Sequence, residues 1–300
     1  MQDGAVTVRS PVNLREALSL LAEGGEAARP LAGGTDAMGK MYDGVWRPQV
    51  WINLQRLRPA LAYIRMDGDR LEIGALTTFS ALLASPMVMA GAPLLGQAAR
   101  TIGGPQIRNM GTLGGNLGTA SPAADSLPAL YALEAEVRLA SLDGERTLPI
   151  GEFMLGPGST ALKPGELITA VRFAVQQPGE LCTYEKLGLR AAHAIAVASV
   201  ALRLAPRAGD APGRFAMARV ALGAVAPTVV RAPLAEAALL ANPVSADAAL
   251  RAAAGAREAA SPITDGRASA EYRRAMAGNL LQRGLIRLLG PDVAPGAHAS

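Results

Sequence analysis

Apolar positions recur at helical spacing over NLREALSLLAEG, residues 13–24. Leu14, Ala17, Leu18 and Leu21 follow a capping Asn13 and precede the stop signal Gly24, which predicts a short amphipathic helix. ARPLAGGTD then reads as a brief buried strand that breaks into a glycine turn, and VWINLQRL as a second short strand. In AYIRMDGDRLEIG and again in EVRLASLDGERTLPI, alternating runs meet at Asp67–Gly68 and Asp143–Gly144. An Asp-Gly pair of this kind signals a two-residue hairpin with positive φ at both turn positions. TTFSALLAS and APLLGQAARTI read as helices, the second running directly into QIRNMGTLGGNLGTASPAAD at residues 106–125.

A Gln-Gln-Pro-Gly turn at 176–179 marks a domain boundary, because the texture changes after it. YEKLGLRAAHAIAVASVALRLAP and RFAMARVALGAVAP carry β-branched and apolar runs suited to strands of a separate small sheet. From Ala232 to Ala260 the chain is dominated by Ala, Leu and Glu, the best helix formers, and EYRRAMAGNLLQRGLIRLL has apolar residues at helical spacing. The C-terminal region is expected to be a sheet capped by helices, and the whole an α+β protein.

Composition narrows the function classes. At 300 residues the chain has room for two or three packed units, and 33 Gly with 21 Pro but only 4% aromatics favour short elements joined by tight turns. The formal charge of +4 is spread along the chain with no block of like charge, which argues against a nucleic-acid partner. A single cysteine, Cys182, excludes an intrachain disulfide framework and any cysteine-ligated iron–sulfur cluster held wholly by this chain. The early Asp3, the lack of an apolar leader and the absence of a run of ~18 apolar residues predict a cytoplasmic protein without a membrane span.

Two glycine clusters carry the candidate chemistry. In Ala32-Gly33-Gly34-Thr35-Asp36, after a strand, consecutive backbone N–H groups can form an anion-binding concavity that a phosphate approaches with no Cβ in its path; a plain β-turn is the even alternative. Thr112-Leu113-Gly114-Gly115-Asn116 is the second cluster. Neither is a G-x-G-x-x-G, and no G-x-x-x-x-G-K-[ST] occurs. Two such turns suit the two phosphates of a pyrophosphate gripped from both sides, with Asp36 and Asp125 accepting from hydroxyls. Lys186 reads either as a counter-charge to an anionic ligand or as a surface ion pair. Arg108 reads as an organiser of its loop through carbonyl hydrogen bonds. His193 reads as structural, since a site resting on one histidine is rare, and Cys182 as an inert small core residue.

LAGGTD, QIRNMGTLGGNLGTASPAADSLPAL, GELIT, YEKLGLR and SAEYRRAMAGNLL together resemble the FAD-binding medium subunit of molybdenum hydroxylases, the family of carbon monoxide dehydrogenase and xanthine dehydrogenase, over essentially the whole chain. The resemblance implies a FAD-binding domain of the vanillyl-alcohol-oxidase/PCMH type over residues 1–176, in subdomains of about 1–56 and 57–176. A C-terminal flavoprotein domain with a three-stranded antiparallel sheet and helices would span 177–290, followed by a flexible tail at 291–300. It assigns cofactor contacts to Leu31, Ala32, Gly33, Gly34, Thr35 and Asp36, and to Thr112, Leu113, Gly114, Gly115 and Asn116. Ile102, Asp125, Ile168 and Lys186 complete the set. Periodicity alone makes Ile168 a core strand residue.

What the family implies about function is electron transfer through non-covalent FAD, since neither glycine cluster contains the His or Cys that a covalent tether needs. The molybdenum cofactor would sit on a large partner subunit and two 2Fe–2S clusters on a small one, assembled as a dimer of heterotrimers. One rival is a self-sufficient FAD oxidase or dehydrogenase with its own substrate pocket. It is disfavoured because no His, Tyr or Cys forms a recognisable acid–base arrangement beside either cluster. The other is a scaffold that kept the fold and lost the cofactor.

Overall fold

The computed structural model describes residues 6–207, 209, 213–241 and 243–294. They form two compact units that are not the two halves of the sequence. The first contains the chain up to Met87, Gly103–Ala120 and Ala135–Ala174; the second contains Val88–Ile102, Ser121–Glu134 and the chain from Val175 onward.

The first unit opens on a small parallel sheet of β1 (Thr7–Arg9), β2 (Ala28–Leu31) and β3 (Val50–Asn53) in the order β1-β3-β2. The expected helix spans Leu14–Gly24, and the Asn13 side chain caps it by accepting from Glu16 N at 2.9 Å. Ala17, Leu18 and Leu21 pack into a core with Ile52, Leu54 and Leu57. The expectation of a buried strand at ARPL needs correction: β2 is an edge strand, with Ala28 buried and Arg29 and Pro30 exposed.

A five-stranded sheet follows. β4 (Ile64–Asp67), β5 (Arg70–Gly74), β6 (Glu136–Ser141) and β7 (Gly144–Pro149) flank a later strand. After the small hairpin of β8 (Met154–Gly156) and β9 (Ser159–Thr160), β10 (Leu167–Ala174) takes the centre, giving β4-β5-β10-β6-β7. Both expected hairpins exist, but their turns differ from the Asp-Gly reading. Asp67 pairs with Arg70, so the loop is Gly68–Asp69, with positive φ only at Gly68. Ser141 pairs with Gly144, so the second loop is Leu142–Asp143 and Gly144 begins β7. On the polar face Glu72 is fully buried under its partners: it accepts from Tyr63 Oη at 2.7 Å, Arg65 Nη2 at 2.6 Å and Arg138 Nη1 at 2.7 Å.

The second unit is built on β11 (Leu181–Gly188), β12 (Ala196–Pro206), β13 (Phe215–Gly223) and the two-residue β14 (Val230–Arg231), antiparallel in that order. Helices Pro233–Leu240, Ala246–Ala259 and Ala270–Leu289 pack with it into one core, and helices Pro93–Arg100 and Ser126–Ala132 belong to the same unit. The alanine and glycine content has a packing reason. A Cβ on Gly278 would stand 2.7 Å from the Ala253 carbonyl, and one on Gly255 2.6 Å from Ala235 N, so at these two positions the helix backbones approach too closely for a side chain on the glycine. The expected tail begins with a 3₁₀ turn, Pro291–Val293, which buries Val293 in that core; residues 295–300, with His298, lie outside the described residues.

Candidate functional site

The first glycine cluster leaves the end of β2 and enters the helix Ala37–Tyr42, with Asp36 at its N-cap and no side-chain capping bond there. Gly34 has φ +72°, in the left-handed region that glycine adopts without steric cost. Gly33 is glycine for a different reason. A Cβ there would stand 1.9 Å from the Met110 carbonyl oxygen, so the cluster lies directly against the end of the helix Pro105–Met110. Gln55 Nε2 donates to the Ala32 carbonyl at 2.7 Å and fixes the entry to the turn. Among the described residues, the backbone N–H groups of Gly33, Gly34, Thr35 and Asp36 reach no protein acceptor.

The second cluster corrects the expectation of a Gly-Gly turn. Thr112 is the N-cap of a helix, Leu113–Thr119, and Gly114 and Gly115 lie in its first turn, neither with positive φ. Its N–H groups are already used: Leu113 N donates to Thr77 O, Gly114 N to Ala75 O, Asn116 N to Thr112 O, and Gly115 N to Thr112 Oγ1 at 3.0 Å. These glycines serve close approach. A Cβ on Gly114 would meet the Ala75 carbonyl at 2.8 Å, and one on Gly115 would meet Thr112 Oγ1 at 2.8 Å and Ala32 Cβ at 3.8 Å. Through Ala32 and Met110 the two clusters are brought side by side, one supplying open N–H donors and the other a bare surface. Ile168 is a buried residue of β10 whose Cδ1 lies 3.7 Å from a Cβ on Gly118, so it supports the same helix. Arg108 Nη1 donates to the Gly103 carbonyl at 3.2 Å, in keeping with its reading as a loop organiser.

Within the second unit, Ile102, Asp125 and Lys186 are all largely buried. Lys186 Nζ donates to Asp125 Oδ2 at 2.6 Å and to the Thr101 carbonyl at 3.0 Å, so the lysine is not a surface ion pair. Tyr184 Oη donates to Asp125 Oδ1 at 3.1 Å. Burial pushes the Asp125 carboxyl up from its ordinary value, with the Lys186 ammonium and the two hydrogen bonds pulling it down. Tyr184, buried next to that carboxylate, is raised well above its ordinary value.

Tyr184 was missed in the sequence although a signal existed: two residues before Lys186 on a strand, it shares that lysine's face. Gln97 and Thr101, which bond Tyr184 N and Lys186 Nζ, gave no such signal. His193 sits exposed between β11 and β12 at φ +54°, its carbonyl accepting from Arg190, and Cys182 is half-buried with its thiol pushed up by burial. Among the described residues no group of three His, Cys, Asp or Glu could hold a metal ion.

Comparison with known proteins decides the family. Residues 4–174 match the FAD binding domain in molybdopterin dehydrogenase, and residues 183–288 match the CO dehydrogenase flavoprotein C-terminal domain. The chain belongs to the medium, FAD-binding subunits of the molybdenum hydroxylases. Among these flavoproteins it is 34% identical to the carbon monoxide dehydrogenase medium chain of Afipia carboxidovorans, over 96% of this chain and 98% of that one. It is 30% identical to the xanthine dehydrogenase FAD-binding subunit of Escherichia coli O157:H7, over 87% of this chain and 88% of the other. A solved chain of carbon monoxide dehydrogenase from Hydrogenophaga pseudoflava, in a form lacking the Mo-pyranopterin moiety of its molybdenum cofactor, superimposes with a TM-score of 0.89 at 35% identity, covering 95% of this chain and 97% of that one.

The resemblance in the sequence, the PCMH-type fold and the oxidoreductase class are therefore established for this flavoprotein. Its residues fit FAD: among the described residues the N–H groups from Gly33 to Asp36 have no protein acceptor, and they lie within the stretch that matches the FAD-binding domain. No helix of the described residues is long and apolar enough to cross a membrane.

Proposed function

We propose that this chain holds FAD non-covalently and relays electrons through it, from 2Fe–2S clusters on a small partner subunit to an external acceptor. Substrate is oxidised on a large subunit that carries the molybdenum cofactor. FAD supplies the exchange between one-electron and two-electron carriers. The observation that carries this reading is the set of unengaged N–H groups from Gly33 to Asp36, held rigid by the close fit of Gly33 on Met110.

In this reading, Leu31 to Asp36 bind the pyrophosphate through the backbone, with Thr35 adding a hydroxyl. Thr112 to Asn116 supply the narrow surface that lets the cofactor lie close, and Ile168 backs it. Ile102, Asp125 and Lys186 are the further cofactor contacts of this reading, Lys186 contributing positive charge and the remaining proton of its ammonium. The proposal includes a FAD-binding domain at 1–176, a C-terminal flavoprotein domain at 177–290, a dimer of heterotrimers and a cytoplasmic site, the last resting on the single cysteine.

Purification of the full chain in the presence of FAD tests the reading. It should retain flavin at micromolar affinity or better, and acid denaturation should release all of it into the supernatant. A chain without flavin, alone or assembled, would contradict the proposal.

A further inference from the structure

We infer that Tyr184 is a positioning residue, whose hydroxyl fixes Asp125 as the anchor that aims the Lys186 ammonium. The inference rests on the proposed cofactor role of Lys186 and deepens it.

A lysine on a flexible four-carbon stem, held by one carboxylate, can rotate about that contact. Here the carboxylate cannot move with it. Oδ2 takes the ammonium at 2.6 Å, and Oδ1 is tied at 3.1 Å to the phenol of Tyr184. Asp125 stands at the N-cap of the helix Ser126–Ala132 yet makes no side-chain capping bond, so its carboxylate is committed to β11. The Thr101 carbonyl takes a second ammonium proton at 3.0 Å, leaving one of three N–H groups for a ligand.

Tyr184 is itself held. Its backbone N donates to Gln97 Oε1 at 2.9 Å, and β11 pairs along its length with β12, placing Tyr184 opposite Ala201. With Tyr184 at 6% and Asp125 at 8% exposure, no water can replace the phenol without repacking. The charged and titratable groups acting on Asp125 are Lys186 and Tyr184 of β11. Glu185, between them in sequence, pairs instead with Arg283 and Arg287 of the helix Ala270–Leu289. Burial already favours the neutral carboxyl, so losing a donor favours protonation of Asp125, and a protonated Asp125 no longer anchors Lys186.

The test titrates the flavin-free full chain with FAD as a function of pH, for the wild type, Tyr184→Phe, Asp125→Asn and the double variant, with a urea melt of each. Tyr184→Phe should bind FAD about tenfold more weakly at neutral pH, and its acid loss of affinity should begin about one pH unit higher, the scale of one hydrogen bond to a charged group. Asp125→Asn should abolish the acid inflection, and adding Tyr184→Phe to it should change nothing further.

A Tyr184→Phe chain with the wild-type pH profile, or losses that simply add in the double variant, overturns the inference while leaving flavin binding intact. If Tyr184→Phe does not fold, an acid inflection surviving in Asp125→Asn overturns it. A wild-type chain that takes up no FAD at any pH overturns the cofactor reading and the inference with it.

Discussion

Gly33 and Gly39 are six residues apart and differ completely in what a methyl group would meet. At Gly33 it would overlap the backbone carbonyl of Met110 at 1.9 Å, and neither side can yield without separating the two glycine clusters. At Gly39, in the helix Ala37–Tyr42, nothing lies within 4 Å. Gly33→Ala should therefore abolish flavin retention and cost about 1–3 kcal/mol of stability, as overpacking against a fixed neighbour does. Gly39→Ala should retain flavin and gain about 0.5–1 kcal/mol from helix propensity. Urea midpoints and flavin content of the two proteins check this, and equal behaviour would count against the close packing of the clusters. Glycine in this chain has two functions that a sequence cannot separate: Gly34 needs its φ, whereas Gly33, Gly114 and Gly115 need the absence of a side chain.

Among the elements, the five-stranded sheet shows how a polar face is made stable. Burial alone would raise the Glu72 carboxyl; the Tyr63 hydroxyl, Arg138 and Arg65 outweigh it and hold the group below its usual range. Tyr63 is pushed up to about 12 by its own burial and by Glu72. Because the folded value of Glu72 lies below the unfolded one, its contribution is fully present above the unfolded value and drains away as pH falls through the folded one.

Glu72→Gln should thus lower stability at neutral pH, by about 1–3 kcal/mol for a charged hydrogen-bonding group and toward the lower end because Arg65 is largely in water. The gap from wild type should close in acid. Chemical denaturation at neutral and acid pH measures it, and a gap independent of pH would be contrary to the assignment. Helices such as Leu14–Gly24 were legible because their apolar faces follow the helical period, and the strands of the second unit because their runs are continuous. The turn positions were not. Register is set by cross-strand pairing of Asp67 with Arg70 and Ser141 with Gly144, which local Asp-Gly chemistry does not encode. Nor was the helix at Leu113–Thr119, whose three glycines oppose it and which tertiary hydrogen bonds to Ala75 and Thr77 stabilise.

On the scale of the whole molecule, the candidate site was legible only as separate motifs. That Met110 abuts Gly33, and that Asp125 meets Lys186 across 61 positions of sequence, follows from chain crossings no local pattern reveals. Two segments of the N-terminal half, Val88–Ile102 and Ser121–Glu134, join the unit built on the C-terminal sheet and bring Thr101 and Asp125 to Lys186. Under the proposed function this arrangement serves a relay, in which the chain positions the cofactor and substrate is oxidised on a partner. The decisive measurement is anaerobic mixing of the FAD-loaded chain, alone and then with its large and small partner subunits, with the substrate of the assembled enzyme. The flavin absorbance should persist in the chain alone and bleach once the partners are added; bleaching without them would mean that this chain oxidises substrate itself.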